Sequence, residues 1–193
     1  MRTIGCAGVS SNPRLADRLC DLFLIVGGSL FVALCAKIQV WTLPVPITLQ
    51  TVAVVLVGAA LGPRRGCAAM IAYLIEGAGG LPVFAGPVAG PAYFAGPTAG
   101  YLLSFPVAAY VVGLLARGGW DRGILRRISA FVIGHAVILL IGFGWLATHI
   151  GVVDGFRLGI APFVALALLK STAAALALPA VRRGLGTVEP RRR

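Results

Sequence analysis

Across residues 81–101 a proline or glycine recurs every few positions, so no helix of any length can form there, and yet the stretch carries no charge. Water-exposed loops of about twenty residues are rich in Ser, Asp, Lys or Asn. This one instead sets Phe84, Tyr93, Phe94 and Tyr101 among residues that allow close backbone approach. Non-helical backbone at membrane depth survives only where protein buries it or where it lines a cavity, because each unsatisfied amide in lipid is costly. The segment therefore predicts a folded-in loop over a cavity, with the rest of the chain as its walls.

Composition supplies the membrane. Of 193 residues, 59% are hydrophobic and 12% charged, with mean hydropathy +0.94. That is about half the charge of a soluble domain, so the chain is expected to be an all-α integral membrane protein in a lipid bilayer. The net charge of +11 draws attention to nucleic acid. Its arginines, however, lie in short clusters between apolar runs, with no basic helix face, and nucleic-acid binding is excluded. Cys6, Cys20, Cys35 and Cys67 are scattered without C-x-x-C spacing, so neither zinc nor a disulfide framework is expected. His135 and His149 stand alone and read as packed or interfacial side chains. No cofactor, metal or removable signal peptide is expected.

In order, residues 1–18 form a cytoplasmic tail with a surface helix at 12–18, residues 19–183 a six-helix membrane domain, and residues 184–193 a basic C-terminal tail. The predicted spans are 19–36, 47–61, 67–81, 98–116 with a kink at Pro106, 128–150, and 158–180, which Pro162 and Pro179 interrupt. Residues 41–46 read as an extended aromatic connection and 151–157 as a short polar turn. In the first span Ser29 and Ala33 form a small-residue face suited to close approach by another helix, within the monomer or from a partner. Thr48 and Gln50 either cap the second span or face the cavity.

Six spans put both termini on one side. Counted by loops, 14 of the 17 basic residues fall on that side, against Lys37 and Arg157 on the other, with Lys170 inside the membrane. The positive-inside rule then makes both termini cytoplasmic and turns the loop between helices 3 and 4 outward.

Lys170 lies too deep in the last span to snorkel to an interface. An ammonium there costs about 2.5–3.5 kcal/mol and needs a partner, either Glu76, embedded in the third span, or an anionic ligand. A G-x-x-x-x-G-K-[ST] motif is absent, as is any Ser/His/Asp set. What remains is a capture subunit energised by others, with a membrane enzyme or assembly factor using Glu76 and Lys170 as acid and base the rival reading.

Pro44-Val45-Pro46-Ile47-Thr48-Leu49-Gln50-Thr51, Leu61-Gly62-Pro63-Arg64, Gly80-Leu81-Pro82-Val83-Phe84-Ala85-Gly86 and Gly96-Pro97-Thr98-Ala99-Gly100-Tyr101 occur in that order. They resemble the BioY family, the biotin-specific S components of energy-coupling factor (ECF) transporters. The resemblance implies a bacterial inner-membrane protein and a biotin pocket near the outer surface. It also implies a coupling transmembrane subunit with two ATPase subunits, approached through the face of Ser29 and Ala33. Biotin needs apolar walls, hydrogen bonds for its ureido edge and a donor for its carboxylate. The expected binding residues are Gln50, Tyr73, Glu76, Phe84, Gly86, Tyr93, Thr98, Gly100, Tyr101 and Lys170. Three residues before the lysine, where the family usually carries aspartate, this chain has Ala167, so Glu76 is expected as the counter-ion to Lys170 or Lys170 meets the ligand directly. An S component for another small vitamin stays open beside biotin.

Overall fold

The computed structural model describes residues 13–40, 44–86 and 89–186. Eight helices carry the fold: α1 (Pro13–Ala36), α2 (Gln50–Leu61), α3 (Pro63–Ala78), α4 (Ala99–Leu103), α5 (Phe105–Leu115), α6 (Ile124–Ile150), α7 (Val152–Gly159) and α8 (Ala161–Gly184). A two-residue antiparallel pair, Gln39–Val40 with Ile47–Thr48, brings the end of α1 beside the start of α2.

Four stretches are long and apolar enough to cross a membrane: Asp17–Ala36, Ala99–Trp120, Ile124–Ile150 and Val152–Gly184. The 12-residue α2 is shorter than expected because residues 47–48 are spent in the strand pair. At ~1.5 Å per residue it covers about 18 Å, well short of a bilayer core of about 30 Å.

Several boundaries move for identifiable reasons. α1 begins at Pro13, inside the expected tail, since proline suits a first helical turn. Gly62, at φ 83°, reverses the chain, and Pro63 then starts α3 four residues before the expected 67. Pro106 kinks the fourth span as expected: α4 ends at Leu103 and α5 starts with the proline in its first turn, while Ser104 between them keeps helical backbone angles and accepts from the Ala108 amide at 2.9 Å. α6 starts at Ile124 instead of 128. Residues 151–157 are no polar turn but most of the amphipathic α7, which leads into α8. Cys20 is disulfide-bonded, which the scattered cysteines gave no sign of, whereas Cys35 and Cys67 are free. Trp41 and the centre of the proline-glycine loop, Pro87 and Val88, fall outside the described residues.

The core has two layers. One gathers Tyr73, Phe84, Tyr101, Phe105 and Ile138 beneath the loop. The other gathers Val55, Val112, Phe131, Ala174 and Leu178 toward the arginine-rich end. Around this second layer the helices meet backbone to backbone. A Cβ at Gly58 would lie 2.5 Å from the Ala109 carbonyl oxygen of α5, and one at Gly113 would lie 2.5 Å from the Pro63 nitrogen.

Arginines complete that end. Arg182 of α8 pairs with Asp121 and donates to the Ala59 carbonyl in the last turn of α2 at 2.9 Å. Arg127 donates to the Ala175 carbonyl at 2.7 Å and to that of Asp121 at 3.1 Å. The Ala59 and Ala175 carbonyls each face a proline four residues on, Pro63 and Pro179, which has no amide to offer, so a cation satisfies each of them.

The small-residue face of α1 is used inside the molecule. Gly28 packs on Ala69 and Val57, and Ser29 and Ala33 are buried against α3 and α2. The expectation that Ser29 and Ala33 present a surface to a partner helix is therefore corrected. The outward face of α1 carries Leu22, Phe23, Leu30 and Leu34 instead.

Because α2 and α5 touch through backbone at Gly58, Gly58→Val overpacks a seam with no side chain free to yield. It should cost ~1–3 kcal/mol and lower the melting temperature in detergent, while Gly144→Val, with nothing within 4 Å of its Cβ, should leave it unchanged.

Candidate functional site

Between the loop and the second core layer lies a cavity. Its walls come from the start of α2 (Thr48, Gln50, Thr51), from α4 and α5 (Tyr101, Leu102, Phe105), from α6 (His135, Ile138, Leu139) and from α8 (Phe163, Leu166, Ala167, Lys170). Val45, Pro46, Ala85 and Tyr93 line its mouth, and Thr98 its rim. The space between the lining atoms, with the open solvent at the mouth included, is about 620 Å³.

The roof is tied down by single polar contacts. The Lys37 ammonium donates to the Phe84 carbonyl at 2.9 Å, the Tyr73 hydroxyl to the Val83 carbonyl at 3.1 Å, and the Trp145 indole to the Gly96 carbonyl at 3.0 Å. The Gly90 amide donates to the Gly77 carbonyl at 2.9 Å. The fully buried Phe84 ring lies against Gly77, where any side chain would collide with it, and meets Tyr73, Tyr93 and Phe94 at centroid distances of 5.4, 4.7 and 5.6 Å. The loop is folded in, as its composition predicts.

At the cavity floor Lys170 donates to the Thr48 carbonyl at 2.6 Å, with Thr51 Oγ1 at 3.4 Å. Thr48 precedes α2, so its carbonyl is not taken by a helical bond; the first amides of the helix turn back to Leu49. The Thr48 hydroxyl donates to Gln50 Oε1 at 3.1 Å, Gln50 Nε2 donates to the Tyr73 hydroxyl at 2.5 Å, and Tyr73 passes on to the loop. Floor and roof are thus joined by one chain of hydrogen bonds.

Of the residues expected from sequence, Gln50, Tyr93, Thr98, Tyr101 and Lys170 line the cavity. Tyr73 and Phe84 stand behind them, holding Gln50 and the loop. Gly100 is a packing position against Trp145, and Gly86 is a turn at φ 82°. Glu76 is elsewhere: its carboxylate accepts from the Ser29 hydroxyl of α1 at 2.7 Å. The expected Lys170–Glu76 ion pair is not formed. Among the described residues the ion pairs are Arg65–Asp21 and Arg182–Asp121, and the hydrogen-bond partners of Lys170 are neutral oxygens.

His135, read from sequence as a packed or interfacial histidine, is buried as that reading expects and also lines the cavity, which the reading did not anticipate. It is 3% exposed and lines the floor next to Ser171. Its being the one ionisable side chain between Arg127 and His149 is the signal that could have found it. The described residues contain no group of His, Cys, Asp or Glu suited to a metal.

The model of the BioY family matches residues 10–187. A probable biotin transporter BioY of Pyrococcus horikoshii is 42% identical over 77% of this chain and 89% of its own length. The biotin transporter BioY2 of Lactococcus lactis subsp. cremoris is 36% identical over 80% and 85%, and the biotin transporter BioY of Thermotoga maritima is 37% identical over 69% and 78%. Among solved structures, the S-component for biotin from an ECF-type ABC transporter superposes with a TM-score of 0.76 over 91% of this chain and 95% of its own, at 22% identity, which supports the shared fold. This multi-pass membrane chain belongs to the BioY family.

Proposed function

We propose that this chain is the substrate-binding subunit of an ECF-type transporter and captures biotin from the outer side of the membrane. The observation that carries the reading is the Lys170 ammonium, held at the cavity by neutral oxygens and with donor capacity left over. A buried cation without a carboxylate is expensive unless something supplies an acceptor, and a ligand oxygen does so. The names borne by the relatives support biotin over another vitamin. The acid–base reading of Glu76 with Lys170 has no shared site, since each residue is engaged on a different helix pair.

Six crossings complete the reading: α1, α2 with the strand before it, α3, α4 with α5, α6, and α7 with α8, with both termini cytoplasmic in a bacterial inner membrane. The distribution of arginines supports that orientation. Energy comes from a coupling transmembrane subunit and two ATPase subunits, because the chain carries no phosphate-binding loop of its own.

Biotin binding to the purified chain tests the site. Lys170→Met should weaken it about tenfold to a hundredfold, the scale of a lost charge-assisted hydrogen bond, whereas Glu76→Gln should stay within about threefold. Unchanged affinity in Lys170→Met would remove the site. The orientation is tested in cells with a chain otherwise free of cysteine: Lys37→Cys should react with an impermeant maleimide from outside, and Arg183→Cys only after permeabilisation. Labelling of both from one side would overturn the six-crossing arrangement.

A further inference from the structure

At the cavity floor stands a polar atom with which no described residue forms a hydrogen bond. His135 Nδ1 lies 2.9 Å from the Phe131 carbonyl and 3.0 Å from Ser171 Oγ. A carbonyl can only accept and a serine oxygen can do either, so one proton on Nδ1 satisfies both neighbours, while a bare Nδ1 would set its lone pair against that of Phe131. The neutral ring is therefore the Nδ1–H tautomer, and Nε2 is a lone-pair acceptor. Nε2 is buried and has no hydrogen-bond partner. Leaving such an atom unsatisfied is costly, and native proteins rarely do so without a reason.

Helix register places this acceptor at the level of a donor. Phe131, Val55 and Ala174 belong to the sealed core layer, while Ile138, Thr51 and Ala167 line the cavity. His135 and Lys170 thus sit at the boundary between the two, each about one turn from its own sealing residue. Lys170 immediately precedes Ser171, the residue that holds the imidazole. A donor and an acceptor at one depth of the cavity match a ligand edge on which a C=O adjoins an N–H. A carboxylate does not match, because its lone pairs would face that of Nε2.

We propose that His135 is a specificity-determining residue of the cavity, accepting a ligand N–H through Nε2 while Lys170 donates to the adjoining carbonyl. This rests on the biotin reading, and in its terms the ureido edge enters first and the carboxylate stays toward the mouth.

The test is calorimetry on the full-length chain with biotin, with the two mono-N-methyl biotins, which lack one or the other ureido N–H, and with biotinamide, altered only at the tail. Wild type should bind at least one N-methyl analogue about tenfold to a hundredfold more weakly than biotin. His135→Phe should lose a similar factor for biotin and no longer distinguish that analogue, while His135→Gln, which keeps an acceptor, recovers part of the loss. The ratio of biotin to biotinamide should not change in His135→Phe. If wild type binds both N-methyl analogues as tightly as biotin, the role of His135 is overturned without any variant having to fold. It is equally overturned if a folded His135→Phe discriminates as wild type does. Absence of biotin binding by wild type would instead sink the ligand reading and, with it, this assignment.

Discussion

One hydrogen bond organises the interior, that from the Lys170 ammonium to the Thr48 carbonyl. A cation at this depth in α8 has to find an oxygen, and α2 supplies one because the chain does not enter the helix until Gln50. The strand pair that shortens α2 is therefore part of the site: had the helix begun at Ile47, the Thr48 carbonyl would have been taken by a backbone amide one turn on. The same residue, through its hydroxyl, starts the chain of bonds that runs through Gln50 and Tyr73 to the Val83 carbonyl in the roof. Charge at the floor and position of the loop are in this way linked by neutral groups, each donating to the next.

How much of this could be read from sequence follows from what a sequence encodes directly. The loop was legible because proline and glycine exclude helix and the absence of charge excludes water, and both are properties of the residues themselves. Lys170 was legible because depth along an apolar run can be counted. Direction could not be counted. Glu76 is as deep as expected, yet its place on α3 turns the carboxylate to Ser29 of α1, and only the packing of α1 on α3 decides that. Ser29 and Ala33 were equally ambiguous, since small residues permit close approach without saying whether the neighbour is inside the molecule or outside it.

His135 is a different case. A lone histidine in an apolar run lacks the companions of a metal ligand, and that argument is sound, but it leaves open the case of a single hydrogen-bonding group serving a ligand. Its companions, Ser171 and Lys170, lie 36 and 35 positions further along the chain on another helix, so no local pattern displays them. Two helix boundaries moved for a related reason: Gly62 and Gly151, at φ 83° and 85°, mark turns that hydrophobic periodicity does not display.

The glycine contacts around the second core layer bear on motion. Where Gly58 meets Ala109 and Gly113 meets Pro63, main chain rests on main chain, and there are no rotamers to rearrange. The loop over the cavity is fixed differently, through the buried Phe84 ring and a few carbonyl contacts such as that of Phe84 with Lys37. Any displacement that admits a ligand therefore falls on this rim, where side chains and single hydrogen bonds can rearrange, and not on the glycine seams.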